Sequence, residues 1–510
     1  MTTTLFRGGE VRVDADRVAS WLLVEDEVVR ALGTSDEPPA ADRVVDLAGG
    51  VLAPAFCDAH VHLPATGLYA SGLDFRGVTA ADTILAGFER HAREGRAFLF
   101  GGNFEDPLDR PLSRHELDRS VGESPALLAR ADMHSCVVSS ALLAQLDLTG
   151  IEGVDRDADG DPSGYLREQA AARAWQWFDS NLPPDDQKAA IRAAARVAYA
   201  KGVAAVHEMF VVEWRGWNAF DLLRSVVDEL ALEVAVYCGT PEVDRVVALG
   251  LPRIGGDFFL DGSFGSHTAW LEKPYVSSPP SGSAPSGLSY RSDDELFEFF
   301  LSAHEAGLQV GVHAIGDAAI EQAIATWERV AEKVGANVVA ARGHRIEHFE
   351  CATDDHIRRA AALGLKASVQ PAFDAFWGGS DGMYAQRIGP DRALQMNRFG
   401  TMHRLGVALG AGSDSTVTPL NPFLQMRSLR LHHVEEERVP APDAFRMHTE
   451  GSFGLAFMDG GILEPDRPAH LCWLDRDPVT TDAEQLENTE VLGTWVRGAR
   501  VWPEADAETA

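Results

Sequence analysis

The sequence predicts an α/β protein built on a (β/α)8 barrel, and three observations carry that prediction. Short apolar runs alternate with amphipathic helical stretches through the middle of the chain, the pattern of βα units on a parallel sheet. Eight such runs can be counted, at 50–60, 203–207, 232–238, 257–260, 308–313, 344–348, 365–370 and 407–412. Histidines and carboxylates stand at the C-terminal ends of several of these runs, which is where barrels of this kind place their sites.

The first fifty residues read differently, as short strands such as Glu10-Val11-Arg12-Val13 and Trp21-Leu22-Leu23-Val24 separated by turns. The C-terminus has the same texture in His470-Leu471-Cys472-Trp473-Leu474 and Gly493-Thr494-Trp495-Val496. Neither end is long enough to bury a core alone. The expectation is one small β domain made from 1–50 plus 456–510, with the barrel occupying 51–455. Roughly 140 residues separate the first barrel run from the second, too many for one loop and helix. An inserted α/β subdomain at about 65–200 accounts for them, with strands at 97–101 and 126–130 and a helix at 187–200 leading back. The Ser-, Pro- and Gly-rich stretch 277–289 follows the fourth run and reads as a surface loop, either a lid or a plain insertion.

The balance of 45 Lys and Arg against 77 Asp and Glu leaves a formal charge of -32. That excludes the phosphate neutralisation on which nucleic-acid binding depends and opposes contact with anionic membranes. The expected partner is a small molecule, with a homodimer as the default assembly. Cys57, Cys136, Cys238, Cys351 and Cys472 are scattered, without C-x-x-C spacing, so the expected state is reduced thiols in a cytoplasmic protein. No N-terminal signal peptide is expected, and no stretch approaches the ~18 consecutive apolar residues of a membrane span.

His60 and His62 end the first run, and on a strand that spacing puts both imidazoles on one side. With 17 His in 510 positions, His-x-His is expected by chance roughly half a time, so the pair alone says little. Its weight comes from company: His207-Glu208 ends the second run, His313 the fifth, His348 the sixth, and Asp414 follows the eighth. Together they describe a centre for a divalent metal. His344 and His348 do not form a helical zinc motif, because Arg345 stands where that motif needs Glu. Asp317 reads as the cap of the helix that follows His313. His134, His207 and Trp377 are weaker candidates for substrate contact, and Trp214, Trp217, Phe373 and Phe376 for an apolar lining.

The stretches APAFCDAHVH, ADMHSCVVSSALL, FFLDGSFGSHTA, GLQVGVHAIGDAAI, HRIEHFE and GAGSDSTVTPLNP make the chain similar to the amidohydrolase superfamily. Within it the chain resembles the YtcJ-like or amidohydrolase 3 group, which includes N-substituted formamide deformylases. The resemblance spans nearly the whole chain. It implies a distorted (β/α)8 barrel with a β-sandwich domain made from both termini, metal ligation by His60, His62, His313, His348 and Asp414, and hydrolysis of an amide-type C–N bond. It further implies Asp414 as the base that takes a proton from water and returns it to the leaving amine. The metal, or an imidazole such as His348, would polarise the carbonyl.

One position departs from that pattern. The fourth strand of the group carries a lysine, carbamylated to bridge two metals, and Asp257 stands there. An Asp carboxylate falls about four bonds short of a carbamylated lysine, or roughly 5 Å. Three placements stay open for Asp257: outside a mononuclear site, at a metal through water, or merely at the start of the strand. The expectation is one ion, zinc first, rather than two. The alternatives in function are a mononuclear lyase or decarboxylase on the same scaffold, and a degenerate member that binds ligand without turnover.

Overall fold

The computed structural model describes residues 2–503, apart from 36, 95–98, 106–107 and 279–283. The two ends of the chain meet in one sheet. Its hydrogen-bonded order runs from Ala499–Trp502 through Val491–Val496, Leu471–Leu474 and Val51–Pro54 to Thr3–Arg12, Val18–Glu25 and Val28–Gly33, with Arg43–Asp46 paired to Thr3–Arg12. The sequence predicts a sandwich here, and the ladder instead forms a single eight-stranded sheet. Thr3–Arg12 holds it together by changing partner along its length, pairing Thr4–Arg7 with Arg43–Asp46 and then Glu10 and Val11 with Val51 and Leu52. Phe6, Val11, Leu22, Leu52, Leu471 and Trp495 bury their side chains together, so both ends contribute to one core.

The run read as one strand at 50–60 is two. Pro54 ends the strand of the terminal sheet, and a proline offers no N–H to continue the ladder. The next two amides then part company: Ala55 donates to His470 O at 2.9 Å and Phe56 to Gly202 O at 2.9 Å. From Phe56 onward the chain belongs to the parallel strands. These are β1 (Phe56–Val61), β2 (Val203–Phe210), β3 (Glu233–Cys238), β4 (Arg253–Ile254), β5 (Gln309–Ala314), β6 (Arg345–His348), β7 (Lys366–Val369) and β8 (Ala408–Ala411).

They form two parallel ladders, β3-β2-β1 and β4-β5-β6-β7-β8. On one side Gly255 N donates to Cys238 O at 2.8 Å, joining β4 to β3. On the other, Val61 bridges Ser415, and Asp414 N donates to His60 O at 2.8 Å. The arrangement is TIM-barrel-like. Helices cover its outside for the reason the sequence predicts. Asp317–Val334 buries Ile320, Ala323, Ile324, Trp327 and Val330, which recur every three or four residues. Asp293–Glu305 opens on a capping box between Ser292 and Glu295 and places three acidic residues in its first turn, where the helix dipole favours them. Among the described residues no helix is long and apolar enough to cross a membrane.

The fourth strand departs from expectation. Regular pairing stops at Ile254, and beyond Gly255 and Gly256 a single bridge, Phe259 with His313, marks the predicted run 257–260. The insertion forms a six-stranded sheet ordered Val154–Arg156, Pro162–Arg167, Ser135–Val138, Ala126–Arg130, Leu99–Phe104 and Leu73–Asp74. Ala126–Arg130 coincides with its prediction, whereas the 97–98 part of the predicted strand 97–101 lies outside the described residues. The helix Pro184–Ala200 returns the chain to β2 and packs on Leu63–Ser71, which follows β1. The proposed lid at 277–289 falls partly outside the described residues; its far flank is tied back by Leu271 N to Ser286 O and Tyr275 N to Pro285 O.

Gly67 sets how closely those two helices approach, because a Cβ there would lie 1.6 Å from the backbone oxygen of Ala190. Backbone cannot swing aside as a side chain can, so Gly67→Ala is expected to destabilise the fold by about 1–3 kcal/mol in chemical denaturation. Gly454→Ala, whose Cβ meets nothing within 4 Å, is the matched control and is expected to be neutral or mildly stabilising.

Candidate metal centre

Five of the residues singled out in the sequence, and Asp257 with them, come together at the C-terminal ends of the parallel strands. His60 and His62 leave β1 on the same side, as alternation requires. His313 sits at the end of β5, His348 closes β6, and Asp414 follows β8. His348, Phe349 and Asp414 hold left-handed backbone, with φ of +71°, +53° and +51°. Such conformations cost about 1–3 kcal/mol each in non-glycine residues and persist where surrounding structure over-determines them. Here Phe349 N is tied to Ala314 O at 3.2 Å and Asp414 N to His60 O at 2.8 Å.

Asp257 lies in the middle. Its Oδ2 is 3.4 Å from His60 Nε2 and 3.2 Å from His62 Nε2. Its Oδ1 is 3.7 Å from His313 Nδ1 and 3.6 Å from His348 Nε2. Asp414 Oδ1 faces the first pair, 3.6 Å from His60 Nε2 and 3.1 Å from His62 Nε2. Most of these separations exceed the 2.7–3.2 Å of a good hydrogen bond. They match the spacing of ligand atoms around a tetrahedral ion with bonds of about 2.0–2.1 Å, whose edge is roughly 3.3 Å. His60 Nε2, Asp257 Oδ1, His313 Nδ1 and Asp414 Oδ1 are buried without a hydrogen bond among the described residues. Buried polar atoms left unpaired are costly, and a bound cation would satisfy them. The donor set therefore fits a divalent metal. The groupings His60–His62–Asp257, His60–His348–Asp414 and Asp257–His313–His348 each keep their ligand atoms within 4.8 Å of one another.

Every imidazole is also fixed from behind. His60 Nδ1 donates to Glu347 Oε2 at 3.0 Å, His62 Nδ1 to Met209 O at 3.0 Å, His348 Nδ1 to Gln370 Oε1 at 2.8 Å and His313 Nε2 to Gly262 O at 3.2 Å. Each ring thus spends one nitrogen on an acceptor and turns the other towards the carboxylates, where it would offer a lone pair to a bound cation. This outer shell sets the tautomer that metal ligation requires. Glu347 is held in turn by Arg345, through Nε at 2.5 Å and Nη2 at 2.8 Å. Without a cation, burial disfavours a charged His60 or His62, but Asp257 and Asp414 outweigh it and hold His62 up at about 10 and His60 well above its usual value. Burial and the neighbouring His348 push His313 down to about 4.

A cavity of about 140 Å³ opens over these residues. Trp214 stacks on Phe259 at 4.4 Å along one wall, and Phe373 meets Trp377 at 5.0 Å on another. The insertion supplies Arg130 to His134. His134 Nδ1 bonds Glu168 Oε2 at 3.0 Å, and Glu168 is itself gripped by Thr268 Oγ1 at 2.6 Å and by the Tyr290 hydroxyl. Burial would lower His134, yet Glu168 raises it to about 9.

Of the weaker candidates, His134 and Trp377 line this cavity and His207 does not. Strand alternation gives the reason: Glu208 takes the cavity side, and His207 faces the interior, accepting from Arg345 Nη1 at 2.9 Å and lying 3.6 Å from Cys57 Sγ. Trp217 is likewise elsewhere, under Arg245 at 3.8 Å, and Phe376 is largely exposed. Asp317 is the first helical residue rather than the cap, which is Gly316, and its carboxylate accepts from Glu272 N at 2.9 Å. His344 lies at the opposite end of β6, stacked on Trp327 at 3.9 Å. Two further buried carboxyls line the cavity, and burial pushes both up to about 7: Glu208, which the sequence shows only as the end of the second run, and Glu350, which the sequence did not single out. His207 and Glu208 are the two polar residues of the stretch Val203–Phe210, and the Glu was the available signal.

Residues 43–502 match the model of a family described as the amidohydrolase family. The putative amidohydrolase YtcJ of Bacillus subtilis (strain 168) is 27% identical, in an alignment covering 96% of this chain and 97% of that protein. N-substituted formamide deformylase of Arthrobacter pascens is 25% identical, covering 95% of each. Among solved structures, an uncharacterized metal-dependent hydrolase from Pyrococcus furiosus superposes with a TM-score of 0.73 at 27% identity, over 94% of this chain and 100% of that one. Another from Pyrococcus horikoshii OT3 gives a TM-score of 0.75 at 26% identity, over 95% and 99%.

The acceptor behind His348 can be removed without stranding a charge. Gln370→Leu is expected to weaken zinc affinity about 10–100-fold in competition with a chromogenic chelator, while the thermal midpoint of the metal-free protein stays close to wild type.

Proposed function

The chain belongs to the amidohydrolase family, and from that premise we propose that it is a metal-dependent hydrolase cleaving an amide-type carbon–nitrogen bond in a small organic substrate. One observation carries the reading: four imidazoles, each pinned at one nitrogen, turn the other to Asp257 or Asp414 in a buried cluster. The chain's similarity to a formamide deformylase and to two metal-dependent hydrolases supports it. We also read β1–β8 as a distorted (β/α)8 barrel beginning at Phe56 rather than at 51, because hydrogen bonds join the two parallel ladders on both sides, with the two ends of the chain, Val51–Pro54 included, as one terminal domain.

His60, His62, His313, His348, Asp414 and Asp257 would hold the ion, and imidazole with carboxylate suits zinc. A divalent cation there supplies Lewis acidity and lowers the pKa of water to about 7. Asp414, at the cavity floor, takes the proton from the attacking water and passes it to the leaving nitrogen. That transfer is needed because an amide anion leaves poorly. The polarising role expected of His348 competes with metal ligation, since Nδ1 is spent on Gln370 and Nε2 faces Asp257. We assign that contact to His134, which lines the cavity with Nδ1 on Glu168 and leaves Nε2 for the substrate carbonyl. The aromatic walls, Trp377 among them, receive the apolar part of the substrate.

Asp414→Asn is expected to lower turnover by about 10²–10⁴-fold, the usual worth of a positioned proton carrier, with fold and bound metal largely kept. The measurement is release of amine and carboxylic acid from a panel of amides. Undiminished activity removes Asp414 from this role, and carbon dioxide as the product replaces hydrolysis with the lyase alternative. His134→Ala is expected to cost about 10²–10³-fold in kcat/KM in the same assay without loss of metal, in line with removal of one oxyanion donor.

A further inference from the structure

Asp257 stands where the resemblance expects a modified lysine, and its own side chain is too short by roughly 5 Å. The backbone makes up the difference. Ile254 pairs with Val310 and Phe259 bridges His313, so this chain takes five steps where β5 takes three. The surplus residues form a bulge, which bends a strand and re-aims its side chains. Gly255 and Gly256 make the bend with φ of +83° and +75°, a region that glycine enters without steric penalty. A Cβ on Gly255 would lie 2.0 Å from the backbone oxygen of Gly311, and one on Gly256 would lie 2.5 Å from Met209 Sδ and 2.8 Å from Tyr237 Cβ. Gly255 N bonds Cys238 O at 2.8 Å and Gly256 N bonds Gly311 O at 3.0 Å, so the bulge is clamped between β3 and β5.

The next residue is Asp257, and the bend delivers its carboxylate between two histidine pairs. Oδ2 faces His60 and His62 at 3.4 and 3.2 Å, and Oδ1 faces His313 and His348 at 3.7 and 3.6 Å. One oxygen towards each pair is the disposition of a bridging carboxylate, and adjacent cations in such sites sit about 3.5–4 Å apart. We propose that Asp257 bridges two cation subsites, one at His60 and His62 and one at His313 and His348, and that Gly255 and Gly256 are the positioning residues that bring it there. This rests on the metal-dependent reading above and replaces the single ion that side-chain reach alone suggests.

The test uses the full chain, stripped with chelator, reloaded with excess zinc or manganese and desalted. Metal per chain is measured by elemental analysis, and the manganese form by electron paramagnetic resonance. Two ions per chain with a spin-coupled manganese spectrum are expected for the wild type. Asp257→Asn, which is nearly isosteric, is expected to retain one ion with an isolated-ion spectrum. Gly256→Ala is expected to shift in the same direction, and should it fail to fold, Asp257→Asn alone decides. One ion in the wild type overturns the bridge and leaves the hydrolase reading standing, whereas no retained ion overturns both. Two coupled ions in Asp257→Asn remove Asp257 from the bridge.

Discussion

Each imidazole that faces Asp257 has only one nitrogen left to offer, because a fixed acceptor holds the other. That constraint organises the rest of the molecule. The acceptors are the side chains of Glu347 on β6 and Gln370 just after β7, and two backbone carbonyls, Met209 and Gly262. Four rings therefore point inward before any cation arrives. The arrangement leaves four buried polar atoms unpaired, each worth about 1–3 kcal/mol in lost hydrogen bonding. A chain stabilised overall by only about 5–15 kcal/mol tolerates such a deficit where binding offsets it.

Beneath the centre lies a second buried layer. Arg345 sits on β6 and spans to Glu347, His207, the Tyr237 hydroxyl and Ala59 O. It ties β6 to β1, β2 and β3, across the gap between the two parallel ladders. Breaking a buried ion pair typically costs about 3–5 kcal/mol because it strands a charge. His207 has its physical role in this layer. It accepts from Arg345, and burial together with that guanidinium holds it well below its ordinary pKa, as a neutral acceptor.

The sequence displayed what depends on residue type and parity, and hid what depends on register. His60, His62, His313, His348 and Asp414 were legible because strands end where apolar runs end. Their outer partners were not, since nothing in a linear chain links His348 to Gln370, twenty-two residues on. His207 reads in the sequence as a substrate contact, whereas alternation along β2 gives the cavity to Glu208. Asp257 was judged by side-chain length on a regular strand. The signal that the strand is not regular, Gly255-Gly256 immediately before it, was present in the sequence. Its meaning lies in the contact with Gly311 and Tyr237, which only the fold supplies. The ends of the chain were legible as strands, but their order in one sheet follows from pairings hundreds of residues apart.

The cavity above the centre obeys a different logic from its floor. The floor is built on strand ends, and its ligands are fixed by neighbours in the same scaffold. The walls come from the insertion and from the stretches after β2, β4 and β7, and buried carboxylates join the insertion to the stretch after β4. Glu168 holds His134 while accepting from Thr268 and Tyr290, and Asp132 accepts from Ser263 at 2.9 Å and Ser266 at 2.6 Å. Glu168 does this with a left-handed φ of +46°, strain that persists because three partners fix its side chain. Changes to the aromatic lining can therefore alter which substrate is received without disturbing how a cation is held. Changes to Glu168 or Asp132 would instead loosen the insertion from the loop it covers, and with it the position of His134 over the centre.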